Sequence, residues 1–156
     1  MIHVLFLCLG NICRSPMAEA IFRDHVVQAG LQHKITVDSA GTASWHVGKT
    51  PHEGTRNILD KHNISYANIR ARQINKNDGQ IFDYIIVMDD QNMQDLQQII
   101  ASDHKSDLYK LTDFITSTEV DYVPDPYYTG DFNHTFELVN EGSKGLLNEI
   151  KDKYHI

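Results

Sequence analysis

The segment IHVLFLCLGNICRSPMAEA, residues 2–20, decides how this chain folds. Its first part, residues 2–7, is almost entirely apolar and predicts a short buried strand. From Ser15 onward the residues favour a helix, with Pro16 in the first turn, where a missing N–H costs little. A loop between the end of a strand and the start of a helix can direct several backbone N–H groups toward one anion. The segment therefore predicts an anion site beside the Cys8 thiol.

The rest of the chain alternates between strand and helix patterns. Apolar runs predict four strands, at residues 2–7, 35–40, 82–88 and 107–111. Helical spacing of apolar residues predicts four helices, at residues 15–30, 50–62, 90–102 and from 132 to about 154. This alternation is typical of a parallel sheet covered by helices on both faces. We therefore expect an α/β fold, a single domain over residues 1–156 with a doubly wound, four-stranded parallel sheet of the flavodoxin-like type.

Three local features refine this pattern. The sequence Thr50-Pro51-His52-Glu53 is typical of a capping box with proline at the first helical position. Gly142 and Gly145 are expected to weaken the last helix locally. Residues 112–130 show little periodicity, and loops of that length in a compact domain are usually functional.

Composition and charge restrict the function classes. The chain has 156 residues, of which 41% are hydrophobic and 22% charged, as expected for an ordinary globular domain. Its formal net charge of −7 and the lack of a strong basic stripe argue against a nucleic-acid partner. The same charge repels phosphorylated ligands, so a local cation such as Arg14 has to overcome it at short range.

The N-terminal region and the cysteines indicate a compartment and a chemistry. The apolar run near the N-terminus is too short for a signal peptide or a membrane span, so we expect a cytoplasmic protein without membrane association, although export by another route stays open. Cys8 and Cys13 lie in one loop, where a disulfide would add little stability, which favours a chemical role for them. The nine histidines show no metal-ligand spacing, and we expect neither a metal nor another cofactor.

The loop after the first strand offers the parts of a phosphoryl-transfer site. As a thiolate, Cys8 can attack phosphorus, and the planar fork of Arg14 can bind two phosphoryl oxygens. Gly10 allows close approach of the backbone, and Asn11 tolerates a left-handed conformation. Ser15 fits equally well as a helix cap or as a hydrogen-bond donor to the Cys8 sulfur. In the alternative interpretation, Cys8 is a buried core thiol and Arg14 a surface cation.

A phosphate ester with a phenolic leaving group also needs a proton donor. Three aspartates in the late loop region are candidates: Asp121, Asp125 and Asp131. The flanking prolines stiffen the chain around Asp125 and favour it somewhat. An aspartate that merely supports a turn before proline is an equally good interpretation of the pattern alone.

Several separated motifs, in the same order, resemble the low-molecular-weight protein tyrosine phosphatases over the full length of the chain. The matching segments are residues 4–20, Asp38-Ser39-Ala40-Gly41-Thr42, Trp45-His46-Val47-Gly48, Ala71-Arg72-Gln73-Ile74 and Asp125-Pro126-Tyr127-Tyr128. The resemblance implies hydrolysis of phosphotyrosine in proteins through a cysteinyl-phosphate intermediate. It assigns Cys8 as nucleophile, Arg14 as phosphate clamp and Asp125 as general acid and base.

The resemblance also implies the walls of the pocket. Trp45 on one side and Tyr127 and Tyr128 on the other would form an aromatic cleft, with Leu9 and Ile12 against the substrate ring. Without the family, these aromatic residues would be interpreted as core or rim packing. Three further residues match bracing positions rather than reacting ones: Asn11, Ser39 and Asp89.

Two positions leave alternatives open. Cys13 is either the partner of an oxidised Cys8 in a protective disulfide or a small side chain packed under the loop. Many family members carry a histidine where this chain has Ile69, and that histidine supports Asn11 and Ser39 through hydrogen bonds. The bracing of the loop is therefore the point at which this chain departs from the family pattern.

Other activities are less well matched. A protein arginine phosphatase of the same family is the nearest alternative, but that branch typically has threonine where this chain has Ile12. Arsenate reduction on a related fold needs further cysteines besides Cys8 and Cys13. A non-catalytic phosphate-binding or redox-sensing module would be expected if Cys8, Arg14 or Asp125 were missing. We expect a monomer or weak self-association.

Overall fold

The computed structural model of the chain describes residues 1–116 and 119–156. It contains one sheet of four parallel strands, in the spatial order β2-β1-β3-β4. The strands are β1 (Ile2–Cys8), β2 (Ile35–Gly41), β3 (Tyr84–Val87) and β4 (Asp107–Lys110). The predicted four-stranded parallel sheet is confirmed.

Helices fill the connections between the strands and follow the last one. They are α1 (Arg14–Gln28), α2 (Glu53–Lys61), α3 (Asp78–Ile81), α4 (Asp90–Ile99), a 3-10 turn (Leu111–Phe114), α5 (Pro126–Thr129) and α6 (Phe132–Tyr154). No helix within the described residues is both long and apolar enough to cross a lipid bilayer.

The central strand β1 explains why its sequence is apolar at almost every position. Its side chains alternate between the two faces of the sheet. Val4 and Phe6 pack into a core shared with α1 and α6, whereas Leu5 and Leu7 pack into a second core with Leu96 of α4. Because helices cover both faces, residues of either parity are buried. The predicted doubly wound architecture is confirmed.

The start of α2 differs from the predicted capping box. The N-cap is His52, whose Nδ1 accepts the Gly54 N–H at 3.0 Å. Thr50 therefore lies two residues before the N-cap, and Pro51 is not the first residue of the helix. The histidine ring takes the part that the sequence pattern assigned to a hydroxyl, because any acceptor at this distance satisfies a free N–H of the first turn.

Two short helices, α3 and α5, lie outside the four predicted helices. Each is only four residues long, which is too short for a helical period to show in the sequence. The helix α4 ends at Ile99, three residues before the predicted end, in an extended residue, Ile100.

Helix α6 continues through both of its glycines for 23 residues. A Cβ atom on Gly142 would lie 2.5 Å from Leu111 Cγ, and one on Gly145 would lie 2.1 Å from the Phe114 carbonyl oxygen. The glycines therefore let the 3-10 turn pack directly on the helix backbone, which offsets the lower helix propensity of glycine.

Candidate active site

The loop between β1 and α1 surrounds the Cys8 sulfur with hydrogen-bond partners. Cys8 is the last residue of β1 and only 3% exposed. Its Sγ lies 3.3 Å from the Asn11 backbone nitrogen, which donates to it, and 3.0 Å from Ser15 Oγ. Asn11 has φ 55°, so it adopts the left-handed conformation that the sequence analysis expected it to tolerate. Residues 8–15 are called the nucleophile loop below.

Ser15 does not cap α1. The helix begins at Arg14, and its N-cap, Cys13, makes no side-chain capping bond. Ser15 thus lies inside the first turn, fully buried, and the interpretation of Ser15 as a helix cap is wrong. Its hydroxyl instead lies within hydrogen-bond distance of the Cys8 sulfur, accepts from Asn11 Nδ2 at 2.7 Å and lies 3.3 Å from the Ala40 carbonyl oxygen.

Asn11 ties the nucleophile loop to two neighbouring segments. Its Nδ2 donates to Ser39 Oγ at the end of β2, at 2.9 Å, as well as to Ser15. Its Oδ1 accepts the Arg72 backbone N–H at 2.9 Å. Arg72 is fixed beside the sheet because Gly41 N–H donates to its carbonyl oxygen at 2.8 Å. The buried Asn11 side chain therefore uses both its amide nitrogen and its carbonyl oxygen.

Glu19 completes the network beneath the loop, and the sequence analysis did not single it out. Ser39 Oγ donates to Glu19 Oε1 at 2.6 Å, and the other carboxylate oxygen pairs with Arg23, four residues further along α1. Glu19 is 5% exposed. Burial raises the pKa of its carboxyl group, against the opposing effects of the Ser39 hydrogen bond and the Arg23 charge.

The network explains how the loop is braced without the family histidine. Ile69 is 3% exposed and packs in the core that lies on the α1 side of the sheet. Asn11 and Ser39 are instead held by the Arg72 backbone and the Glu19 carboxylate. A sequence signal for Glu19 existed, since a carboxylate stands between two alanines, four residues after Ser15 and thus about one helical turn from it.

Arg14 is buried rather than a surface cation, so that alternative interpretation is wrong. It is 2% exposed, and its Nη1 donates to Asp89 Oδ2 at 2.7 Å and to the Val123 carbonyl oxygen at 2.9 Å. Its Nη2 lies 3.4 Å from Asp125 Oδ2. Burial alone would lower the pKa of Arg14, but the charges at Cys8, Asp89 and Asp125 reverse this and raise it. The structure places Asp89 in the bracing position that the sequence suggested.

Asp125 supports a turn and also lines the cleft of Cys8. Its Oδ1 accepts the Tyr127 N–H at 3.0 Å and caps the short helix α5, as a turn-supporting aspartate does. Its Oδ2 points toward Arg14, and the residue lines the same cleft as Cys8. The other two candidate acids, Asp121 and Asp131, do not line that cleft. Asp131 instead caps α6 through the His134 N–H.

The cleft above Cys8 has a volume of about 130 Å³. Its lining residues are Cys8, Leu9, Gly10, Ile12, Cys13, Trp45, His46, Asp125, Tyr127 and Tyr128. The structure thus brings together all the residues predicted to bind substrate, and it adds His46, which the sequence analysis noted only as part of a motif. Trp45, Tyr127 and Tyr128 are 67%, 54% and 74% exposed, so they are not core residues. These three residues are called the aromatic rim.

Two glycines permit the close approach of backbone around the nucleophile loop. A Cβ on Gly41, at the end of β2, would lie 2.8 Å from the Leu9 carbonyl oxygen, which is too close for any other residue. A Cβ on Gly10 would meet the His46 ring at 3.1 Å. Of the two, the backbone contact at Gly41 is the stricter requirement, because a side chain can move aside more easily.

Cys13 lies in the cleft wall as a buried free thiol, 3% exposed. It packs with Ile12 and Ala71, and Phe132 covers this small cluster. Burial, with the nearby Asp125 and Cys8 charges, raises the pKa of the Cys13 thiol to about 12, although Arg14 acts in the other direction. Cys13 is therefore a protonated thiol near neutral pH. In the part of the chain that the structure describes, no group of three or more His, Cys, Asp or Glu side chains could hold a metal ion.

Comparison with known proteins identifies relatives over nearly the whole chain. The family model "Low molecular weight phosphotyrosine protein phosphatase" matches residues 3–155. The low molecular weight protein-tyrosine-phosphatase YfkJ of Bacillus subtilis is 48% identical over 151 residues, 97% of each chain. The corresponding enzyme PtpA of Staphylococcus saprophyticus is 45% identical over 150 residues, covering 96% of this chain and 94% of its own.

Solved structures agree with these matches. The crystal structure of YfkJ superposes with a TM-score of 0.95 at 47% identity, covering 98% of this chain and 96% of that one. A second match is named for a different activity: the drosophila arginine phosphatase DARP superposes with a TM-score of 0.88 at 35% identity, covering 95% of this chain and 97% of its own.

Proposed function

The chain belongs to the low-molecular-weight phosphotyrosine protein phosphatase family and is a cysteine-dependent protein-tyrosine phosphatase, and we propose how its residues divide the reaction. Cys8 is the nucleophile, Arg14 the phosphate clamp and Asp125 the general acid and base. The observation that carries this assignment is that Cys8 and Asp125 line one cleft while Arg14 lies directly beside Asp125. The Asn11 N–H donates to the Cys8 sulfur, and the Arg14 guanidinium lies 3.4 Å from the Asp125 carboxylate.

In the first step the Cys8 thiolate attacks phosphorus and the bond between phosphorus and the phenolic oxygen breaks. The proton of Asp125 passes to that oxygen, which leaves as tyrosine. The negative charge on the phosphoryl oxygens faces the loop N–H groups and the Arg14 guanidinium. Because Asp89 and the Val123 carbonyl oxygen hold Arg14 Nη1, the fork is fixed in direction before substrate arrives.

In the second step water attacks phosphorus and the sulfur–phosphorus bond breaks. Asp125, now a carboxylate, accepts the proton of that water, and inorganic phosphate leaves. Ser15 Oγ, 3.0 Å from the sulfur, can donate to the departing thiolate. No cofactor takes part in either step of this proposal. The supporting residues Asn11, Ser15 and Ser39 act by holding the loop.

The aromatic rim supports an aryl phosphate as substrate. Trp45, Tyr127 and Tyr128 line the cleft together with Leu9 and Ile12, and the rings of Tyr127 and Tyr128 meet edge to face. Aromatic faces and apolar side chains favour a phenyl ring over the charged guanidinium of a phosphoarginine. A phosphoserine side chain is shorter and would leave the rim unused.

A paired assay tests the substrate. We expect the wild-type protein to hydrolyse a phosphotyrosine peptide with a higher kcat/KM than the matching phosphoarginine peptide. The Ile12→Thr variant tests the position that distinguishes the two activities. It should reduce the difference in kcat/KM between the phosphotyrosine and the phosphoarginine peptide. Preference of the wild-type protein for phosphoarginine would instead support an arginine phosphatase activity, as in the name of DARP.

The cellular setting is part of the same proposal. Both cysteines are free thiols and the nucleophile has to stay reduced, which fits the cytoplasm. Once a peroxide has oxidised Cys8 to its sulfenic acid, Cys13 can lose its proton and attack the Cys8 sulfur, which forms a disulfide and releases water. The raised pKa of the Cys13 thiol makes this attack slow near neutral pH. We further propose a single phosphatase domain over residues 1–156, phosphotyrosine proteins as partners, no nucleic-acid or membrane association, and a monomer or weakly self-associating state.

A further inference from the structure

A second groove runs from the cleft along the start of α2. It shares Ile12, His46 and Tyr127 with the cleft above Cys8, so the two are continuous. Its outer part is lined by Lys49, His52 and Arg56, besides other residues. A phosphotyrosine seated over Cys8 would therefore direct its neighbouring residues past Tyr127 into this groove. The groove is called the lateral groove below.

The lateral groove carries cations that make no ion pair of their own. Within residues 1–116 and 119–156, neither the Lys49 ammonium nor the Arg56 guanidinium lies within 4.0 Å of a carboxylate. By contrast, Arg14, Arg23 and Arg72 are all paired. Two cations beside the cleft thus have their charge available to a ligand.

Both cations make a hydrogen bond with a group other than a carboxylate. The Lys49 Nζ lies 3.2 Å from His46 Nδ1, and since an ammonium group only donates, the histidine nitrogen accepts. Arg56 Nε donates to the Pro51 carbonyl oxygen at 3.0 Å, which leaves its two terminal nitrogens free to bind. These bonds reduce the side-chain entropy that each cation would lose on meeting a carboxylate.

The net charge of the lateral groove has the opposite sign to the net charge of the whole chain. The lateral groove holds Lys49 and Arg56 against one carboxylate, Glu53, whereas the chain carries a formal net charge of −7. A local excess of positive charge on an acidic protein favours an anionic partner at that place alone.

We propose that the lateral groove binds acidic residues that flank the phosphotyrosine in the protein substrate. The proposal rests on the proposed function, because the groove adjoins the cleft of Cys8. Lys49 and Arg56 pair with aspartate or glutamate of the substrate. Tyr127 and Ile12 contact the substrate backbone between the phosphotyrosine and those acidic residues. Glu53 weakens the preference for acidic residues, because it carries the same charge as they do. The preferred substrate class is thus a phosphotyrosine within an acidic segment.

Matched peptides test this inference. Phosphotyrosine peptides with aspartates on the N-terminal side, on the C-terminal side or on neither side are compared by kcat/KM. For each of Lys49→Ala and Arg56→Gln, the acidic-to-neutral ratio should fall about two- to fivefold, the range of partly exposed ion pairs. Glu53→Gln should raise the same ratio, because it removes the opposing charge. Lys61→Ala, at the far end of α2, is the matched control and should leave the ratio unchanged.

Two further measurements separate the proposals. Hydrolysis of para-nitrophenyl phosphate, which has no flanking residues, reports on the cleft alone, and its absence would count against the proposed function. Binding of the same peptides to the Cys8→Ser variant reports on the groove without turnover. If the wild-type protein does not discriminate between acidic and neutral peptides in either measurement at low salt, the inference about the groove is wrong. A preference that Lys61→Ala reduces as much as Lys49→Ala would also overturn it.

Discussion

The nucleophile loop and the aromatic rim bound the same cleft but are held in opposite ways. In the loop, Cys8, Asn11 and Arg14 are at most 3% exposed, and each makes hydrogen bonds within the protein. In the rim, Trp45 and Tyr128 are at least 67% exposed. The loop is therefore organised before substrate binds, whereas most of the surface of Trp45 and Tyr128 is open for contact with the substrate. Changes in the loop should alter chemistry and stability together, and changes in the rim should alter substrate binding alone.

The largest expected effect is on the nucleophile itself. Cys8→Ser should lower kcat for an aryl phosphate by about four orders of magnitude or more, the scale seen when a covalent nucleophile is removed. The substitution is nearly isosteric, and its hydroxyl can still accept from the Asn11 N–H, so the fold should persist. Turnover of para-nitrophenyl phosphate and thermal unfolding measure the two effects. Appreciable residual turnover would exclude the covalent mechanism.

Asp125 stands at the border between loop and rim, and its replacement should affect chemistry more than structure. Asp125→Asn keeps a side-chain oxygen to cap α5 but cannot supply a proton. Hydrolysis of phosphotyrosine should slow by about 10²–10⁴-fold, the usual contribution of a positioned general acid. Hydrolysis of para-nitrophenyl phosphate should slow much less, because its leaving group needs no proton. Equal losses for both substrates would remove Asp125 as the acid.

The two regions also differ in how far the sequence predicted them. The loop lies between a strand and a helix, so its anion geometry and the left-handed Asn11 followed from local rules. The hydrogen bonds that brace the loop did not follow from local rules. Ser39 meets Glu19, and Asn11 meets the Arg72 backbone, only because distant parts of the chain pack together. Membership of the aromatic rim came from family resemblance, since isolated tyrosines and tryptophans carry no periodic signal. The ring of His52 at the start of α2 has no counterpart in the usual capping patterns.

The bracing network beneath the loop should show in stability as a function of pH. Burial raises the pKa of Glu19 above its ordinary value of 4.5, so the folded protein holds this proton more tightly than the unfolded chain. The contribution of Glu19 to the free energy of unfolding is therefore fully present at pH values below its ordinary pKa. It is lost as the pH rises through the pKa of Glu19 in the folded protein. Glu19→Gln should remove this part of the pH dependence, while Asp24→Asn, on the same helix, serves as control. Urea unfolding between pH 4 and 8 measures it, and identical pH profiles for Glu19→Gln and wild type would show that Glu19 does not titrate in this way.

The smallest effect on stability is expected at the rim. Trp45→Ala removes a side chain that is 67% exposed, so the free energy of unfolding should change by less than about 0.5 kcal/mol. The same substitution takes away one wall of the cleft, and KM for a phosphotyrosine peptide should rise several-fold with a smaller change in kcat. The comparison requires both measurements on one variant. A loss of stability as large as that of an Asn11→Ala variant would mean that the rim, like the loop, is part of the organised structure, because a wall that only contacts substrate contributes nothing to folding.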